Sequence, residues 1–200
     1  MRVDPTGRGV LRLRLFAVTL AFIVSSSQPH ANQTAPSTPA APQSAVERGK
    51  YLAIIGGCHD CHTTKKIGPN GPEPDMSKAL AGHPEDIKIT AMPNPAPGAP
   101  WEIVTTPTLT AWSGPWGVSF AANLTPDPKT GMGMWTEDMF INAMRTGKHM
   151  GISRPILPPM PWQSLAAMPD ADLQALFAYL RSITPIVNLV PLPIPATGGK

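Results

Sequence analysis

A chain of 200 residues, 42% hydrophobic and 14% charged, has material for one ordinary domain. Its formal charge of +3 does not point to nucleic acid or an acidic partner, because residues 1–31 alone hold four arginines against one aspartate and leave the remainder near neutral. Two cysteines exclude a disulfide framework, and 26 prolines with 17 glycines require much irregular loop.

The chain opens with Arg2, Arg8, Arg12 and Arg14, an apolar run from Leu15 to Val24, then Ser25-Ser26-Ser27 and Ala31. A basic start, a short apolar stretch and small residues make a secretory signal peptide, so residues 1–31 are read as one, cut after Ser27 or Ala31. The apolar run falls short of the about 20 residues that a membrane span needs, which leaves an uncleaved anchor as the alternative. Residues 32–43, rich in Pro, Ala, Thr and Ser, have no apolar periodicity and read as a flexible tether.

Ser44-Ala45-Val46-Glu47 is a capping box, in which a hydroxyl serves the N3 amide and a carboxylate returns to the cap. The helix it starts is expected over Ala45 to Ile55, ending at Gly56-Gly57. Val46, Tyr51, Leu52 and Ile55 are expected on its inner face, and Gly49 leaves room for a crossing helix. That helix leads directly into Cys58-His59-Asp60-Cys61-His62, which is C-x-x-C-H, the attachment pattern of a c-type haem. The thiols each bond a vinyl group as a thioether, and His62 presents an imidazole to the iron. A thioredoxin-like pair needs a βαβ context and leaves His62 unexplained. A structural zinc site needs four ligands, and no second pair follows. One covalently attached haem c is therefore the expected cofactor. Export agrees with it, since c-type haem is attached outside the cytoplasm in bacteria, and the periplasm is the expected compartment.

Beyond the motif, Lys65 and Lys66 are read as rim residues that either meet an acidic partner or are simply solvated. The Pro69 carbonyl is the expected acceptor for the second N–H of His62, because a metal-bound imidazole is usually oriented that way. From Gly71 to Met134 loop signals dominate, with a short strand expected within Glu102–Thr106. This stretch, with Trp101, Trp112 and Trp116, is read as a wrap over the haem edge. His83, flanked by Gly and Pro, is read as a loop histidine rather than an axial ligand.

Thr136 is expected to cap a helix with Glu137 and Asp138 in its first turn and Met139, Phe140, Ala143 and Met144 on its core side, closed by Gly147. Trp135 either donates to a haem propionate or packs in the core. In Arg154-Pro-Ile-Leu-Pro-Pro-Met160-Pro-Trp162 a thioether is presented from a stiff extended loop. Of ten methionines, Met160 is the choice for the sixth ligand, and His/Met ligation raises a haem's potential. Met150, Met168, His149 and His83 are the alternatives; Arg154 and Trp162 either contact propionates or pack nearby. Asp170 is expected to cap the last helix, over 171–182, with Leu173, Leu176, Phe177 and Leu180 on one side and Tyr179 near Gly49. Residues 185–200 are expected to leave as an extended tail.

Capped helix, C-x-x-C-H, Gly-Pro loop, second helix, proline-set methionine and terminal helix, in that order, resemble a class I mono-haem c-type cytochrome over most of 44–182, with 71–122 as an enlarged insertion. Asn123–Asp127, Thr130–Thr136, Met160-Pro161-Trp162 and Asp172–Ser182 look like the cytochrome c subunits of bacterial alcohol and gluconate dehydrogenases. Those subunits carry three haem motifs and this chain one. The resemblance implies a mostly α, cytochrome c-like helical domain over 44–184, around one haem, with a long Pro/Gly-rich loop insertion. It gives Cys58 and Cys61 the thioether role, His62 the proximal role and Met160 the distal role. The function implied is periplasmic one-electron transfer rather than enzymic turnover, with a dehydrogenase, an oxidase or another cytochrome as redox partner. Membrane association is expected only through an uncleaved N-terminal segment or a membrane-bound partner. The alternatives are a haem enzyme or gas sensor with an open or labile sixth position, and a haem-bearing docking subunit of a dehydrogenase complex.

Overall fold

The computed structural model describes residues 43–90 and 103–196. The proposed signal peptide, nearly all of the tether, the proline-dense 93–100 with Trp101, and the last four residues lie outside them. Among the described residues, no helix is long and apolar enough to cross a membrane.

Helix α1, Ala45–Ile55, starts on the capping box: Ser44 Oγ accepts from Glu47 N at 3.2 Å, and the Glu47 carboxylate accepts from Ser44 N at 3.0 Å. Its buried residues are Gly49, Leu52 and Ala53. Of the expected inner face only Leu52 belongs there; Tyr51 is 48% and Ile55 60% exposed. The reason is the partner helix α5, Asp170–Ser182, which crosses over Gly49. A Cβ at Gly49 would overlap the Ala175 carbonyl and stand 2.8 Å from Tyr179 Cβ. The contact stripe is therefore centred on position 49 and its i+3 and i+4 neighbours, and it turns Tyr51 outward beneath the Arg48 guanidinium, 5.6 Å from its ring centroid.

Helix α5 buries Leu173, Ala175, Leu176, Phe177 and Leu180. Asp170 is its first residue and not its cap. Pro169 occupies the cap position without a side-chain bond, and the Asp170 carboxylate pairs with Arg145, which also donates to the Met168 carbonyl at 2.7 Å. Helix α3, Glu137–Thr146, follows its expected design: Thr136 Oγ1 accepts from Met139 N at 3.2 Å, Phe140, Ala143 and Met144 are buried, and Gly147 ends it. These three helices share one apolar cluster with Leu80 and Met132, and Phe140 stacks on Phe177 at 5.4 Å.

Between α1 and α3 the chain departs from the mostly helical expectation. Lys65–Gly68 and Gly71–Pro74 form a two-stranded hairpin, β1 and β2. Val104–Thr105, inside the expected short strand, Ala111–Gly114, Gly117–Phe120 and Ile194–Pro195 form an antiparallel sheet in the order β3-β4-β5-β6. The fold is thus cytochrome c-like helices plus two small antiparallel sheets. These strands are two to four residues long and punctuated by Gly and Pro, so no alternating run announces them. The stretch after α5 runs back along this insertion, where Asn188 Nδ2 donates to the carbonyls of Ala81 and His83 at 2.7 and 2.9 Å.

Candidate functional site

Immediately after α1, Gly57 turns the chain into the short helix α2, Cys58–His62. Cys58 and Cys61 are three residues apart and half-buried, and Cys58 borders the apolar cluster. Removal from water pushes the Cys58 thiol up to about 11 and raises that of Cys61 as well. Both are therefore uncharged at neutral pH, as thiols that have yet to react.

His62 is buried, and its Nδ1 donates to the Ala122 carbonyl at 2.8 Å. A carbonyl can only accept, so the proton sits on Nδ1. Nε2 is left bare and has no partner among the described residues. Burial also lowers the pKa of this imidazole and keeps it neutral. The acceptor is not Pro69. That residue lies exposed at the tip of the β1–β2 hairpin, carried away from the histidine by the pairing of Gly68 with Gly71. What reaches His62 is the segment after β5, docked on residues 80–83. Gly82 N donates to the His62 carbonyl at 2.8 Å, and His83 N to the Ala121 carbonyl at 2.9 Å. Thr63, fully buried, ties α2 to the same segment by accepting from Leu80 N at 3.0 Å.

Met160 is half-buried against the apolar cluster that Cys58 also borders. Ile156 N donates to the Gly147 carbonyl at 2.7 Å, and Ser119 Oγ donates to the Pro158 carbonyl at 2.5 Å. On the far side Trp162, the first residue of α4, Trp162–Ala166, lies against Gly147, where a Cβ would overlap its ring.

No family model matches the chain. It is 31% identical over 181 residues to a nicotinate dehydrogenase subunit of Pseudomonas putida, a match that covers 88% of this chain and 12% of that protein. It is 26% identical over 166 residues to the fructose dehydrogenase cytochrome subunit of Gluconobacter japonicus, covering 83% of this chain and 27% of that protein. To the gluconate 2-dehydrogenase cytochrome c subunit of Pantoea cypripedii it is 30% identical over 144 residues, 72% of this chain and 24% of that protein. The chain is similar to the cytochrome c subunits of dehydrogenases. It spans between 12% and 27% of the length of these curated relatives.

The residues suit the prosthetic group of a c-type cytochrome. Two uncharged thiols stand at C-x-x-C spacing, a neutral imidazole offers its Nε2, and a thioether lies at the edge of the apolar cluster that Cys58 borders. The other candidate ligands are engaged differently. His83 is fully buried, with Nε2 donating to the Ile87 carbonyl at 3.0 Å, Nδ1 bonded to Thr110 Oγ1 at 2.9 Å, and its ring 4.9 Å from that of Phe120. Neither ring nitrogen is free. His149 makes an edge-on contact with Trp135 at 5.1 Å, and Trp135 also packs against the apolar cluster. Met168 packs at the cluster's edge, while Met150 sits in a short 3-10 turn with φ of 56°. Lys65 Nζ donates to the His59 carbonyl at 3.2 Å and Lys66 pairs with Glu73 at 3.7 Å. Sequence reasoning missed Ala122, Gly82 and Ser119. The first acts through a backbone carbonyl and the second through a missing side chain, and neither leaves a mark in a motif.

Proposed function

We propose that this chain is a one-electron carrier holding a single c-type haem through Cys58 and Cys61, with His62 as proximal and Met160 as distal ligand. The haem, when bound, supplies an iron that changes oxidation state by one electron without any bond to substrate being broken. The chain's own residues do the rest. The Ala122 carbonyl holds the His62 proton on Nδ1, which fixes the ring's tautomer and orientation and raises the basicity of Nε2. Met160 offers a soft thioether that favours the reduced state, and the apolar cluster lowers the local dielectric. The observation that carries this reading is the His62–Ala122 hydrogen bond, which commits one imidazole nitrogen to protein and leaves the other for metal.

The proposed unit is residues 44–184, with 1–31 directing export to the periplasm and 32–43 as tether. Because the relatives are named as dehydrogenase subunits, a dehydrogenase is the proposed electron donor, with the haem chain itself non-catalytic. The test is Met160→Ala in the haem-loaded protein. The ferric form should lose its near-infrared sulfur-to-iron band, the reduction potential should fall, and the ferrous form should gain carbon monoxide binding. An unchanged band and potential would remove Met160 from the iron.

A further inference from the structure

The loop that presents Met160 is poor in ways to hold itself. Pro155, Pro158, Pro159 and Pro161 have no N–H to donate, so the loop is tethered chiefly by its carbonyls accepting from elsewhere. Among the described residues, one donor from outside residues 154–162 reaches residues 157–160, and it is Ser119 Oγ, on the Pro158 carbonyl at 2.5 Å. Ser119 is 6% exposed and sits in β5, between β4 and β6. Its hydroxyl is itself oriented. Trp116 Nε1 donates to Ser119 Oγ at 3.2 Å, which occupies the acceptor side and directs the single hydroxyl proton at Pro158.

The segment that follows this strand reaches the other ligand. Three residues beyond Ser119, the Ala122 carbonyl takes the His62 Nδ1 proton. Three residues of extended chain span about 10 Å. One stretch of chain is therefore bonded to the proximal histidine through its Ala122 carbonyl and to the methionine loop through its Ser119 hydroxyl. Its position is fixed by β4, by β6 and by the bond from His83 N to the Ala121 carbonyl.

We propose that Ser119, oriented by Trp116, is a positioning residue for the sixth ligand, and that the inserted sheet is the strut which sets the two ligand-bearing segments relative to each other. This rests on Met160 being the distal ligand. Without the Ser119 hydroxyl the Met160 loop loses its tether and the thioether leaves the iron more often, while haem attachment and His62 are untouched.

The experiment uses the haem-loaded full chain in four forms, Met160→Ala, Ser119→Ala, Ser119→Thr and Trp116→Phe, and reads carbon monoxide association with the ferrous protein and the near-infrared band of the ferric one. Ser119→Ala should raise carbon monoxide association about fivefold to tenfold, the factor expected from one lost hydrogen bond, and weaken the band. Ser119→Thr, which keeps the hydroxyl, should restore both. Trp116→Phe should move both in the same direction by less. If Met160→Ala alters both signals and Ser119→Ala neither, the positioning role is wrong and the ligand assignment stands. If Met160→Ala alters neither, the assignment falls and takes this inference with it. A threonine variant that behaves like the alanine one would also overturn it, since the hydroxyl would then not be what holds the loop. Should Ser119→Ala fail to accumulate, wild-type signals in Trp116→Phe sink the proposal.

Discussion

Gly82 has a φ of +80° and stands where two carbonyls pass: a Cβ there would overlap the Ala121 oxygen and lie 2.6 Å from that of Ala122. The Ala122 oxygen is the one that orients His62. A side chain at position 82 would meet backbone rather than a flexible group, so the segment itself would have to move. Gly82→Ala should cost about 2–3 kcal/mol, from left-handed strain and overpacking together, read as a lowered urea midpoint. The same variant should yield less haem-loaded protein, because the displaced carbonyl no longer sets the histidine's tautomer. A substitution at the exposed Ile54 should stay within about 0.5 kcal/mol. The residue that matters here is one whose chemistry is an absence.

Two helices carry the scaffold, and their crossing admits a comparable test. Alanine at Gly49 would gain about 1 kcal/mol of helix propensity, and were the position exposed that gain would decide the sign. It is buried against the Ala175 carbonyl, and overpacking costs about 3 kcal/mol. The second effect wins, and Gly49→Ala should lose about 2 kcal/mol in a denaturation measurement. The crossing is also pinned by Arg48, whose guanidinium bonds both Asp172 oxygens, Nε at 2.9 Å and Nη2 at 3.0 Å. That pair is part-exposed, so it sets the angle of α1 on α5 more than it adds stability. Because α1 ends where α2 begins, a shift of this crossing reaches Cys58 directly.

Across the whole molecule, stability should depend on acid in two stages. His83 is held neutral: burial lowers its pKa, so the unfolded chain binds a proton that the folded one refuses. Stability is then full above about pH 6.5, the unfolded value, and falls as the pH drops below it. Asp172, held down by its bond to Arg48, Asp127 by Thr130, Asp75 by Ser77 and Glu47 by Ser44, all have pKa values lowered from their ordinary ones. Their contribution is present above about pH 4 and is lost as the pH falls through the folded values. The urea midpoint plotted against pH should therefore decline first below about 6.5 and again below about 4. His83→Gln should lessen the first decline, which His59, His62 and His149 share because burial lowers their pKa values too, and Asp172→Asn should lessen the second. An unchanged first decline in His83→Gln would mean that His83 titrates alike in both states.

What could be read from the chain alone was local. The Ser44 capping box, the Thr136 cap, the close approach at Gly49 and the contiguous Cys58–His62 motif are each written in neighbouring side chains, and a methionine set among prolines announces itself within nine residues. Tertiary structure decided the rest. Which face of α1 is buried depended on where α5 crosses it. The acceptor for His62 came from Ala122 and not Pro69, because a hairpin carried Pro69 away and the segment after β5 brought another carbonyl in. The sheet itself was hidden because its strands are short and β6 joins β5 from the far end of the chain. Backbone carbonyls look alike in every residue, so a site oriented by them is settled only when the chain has folded around it.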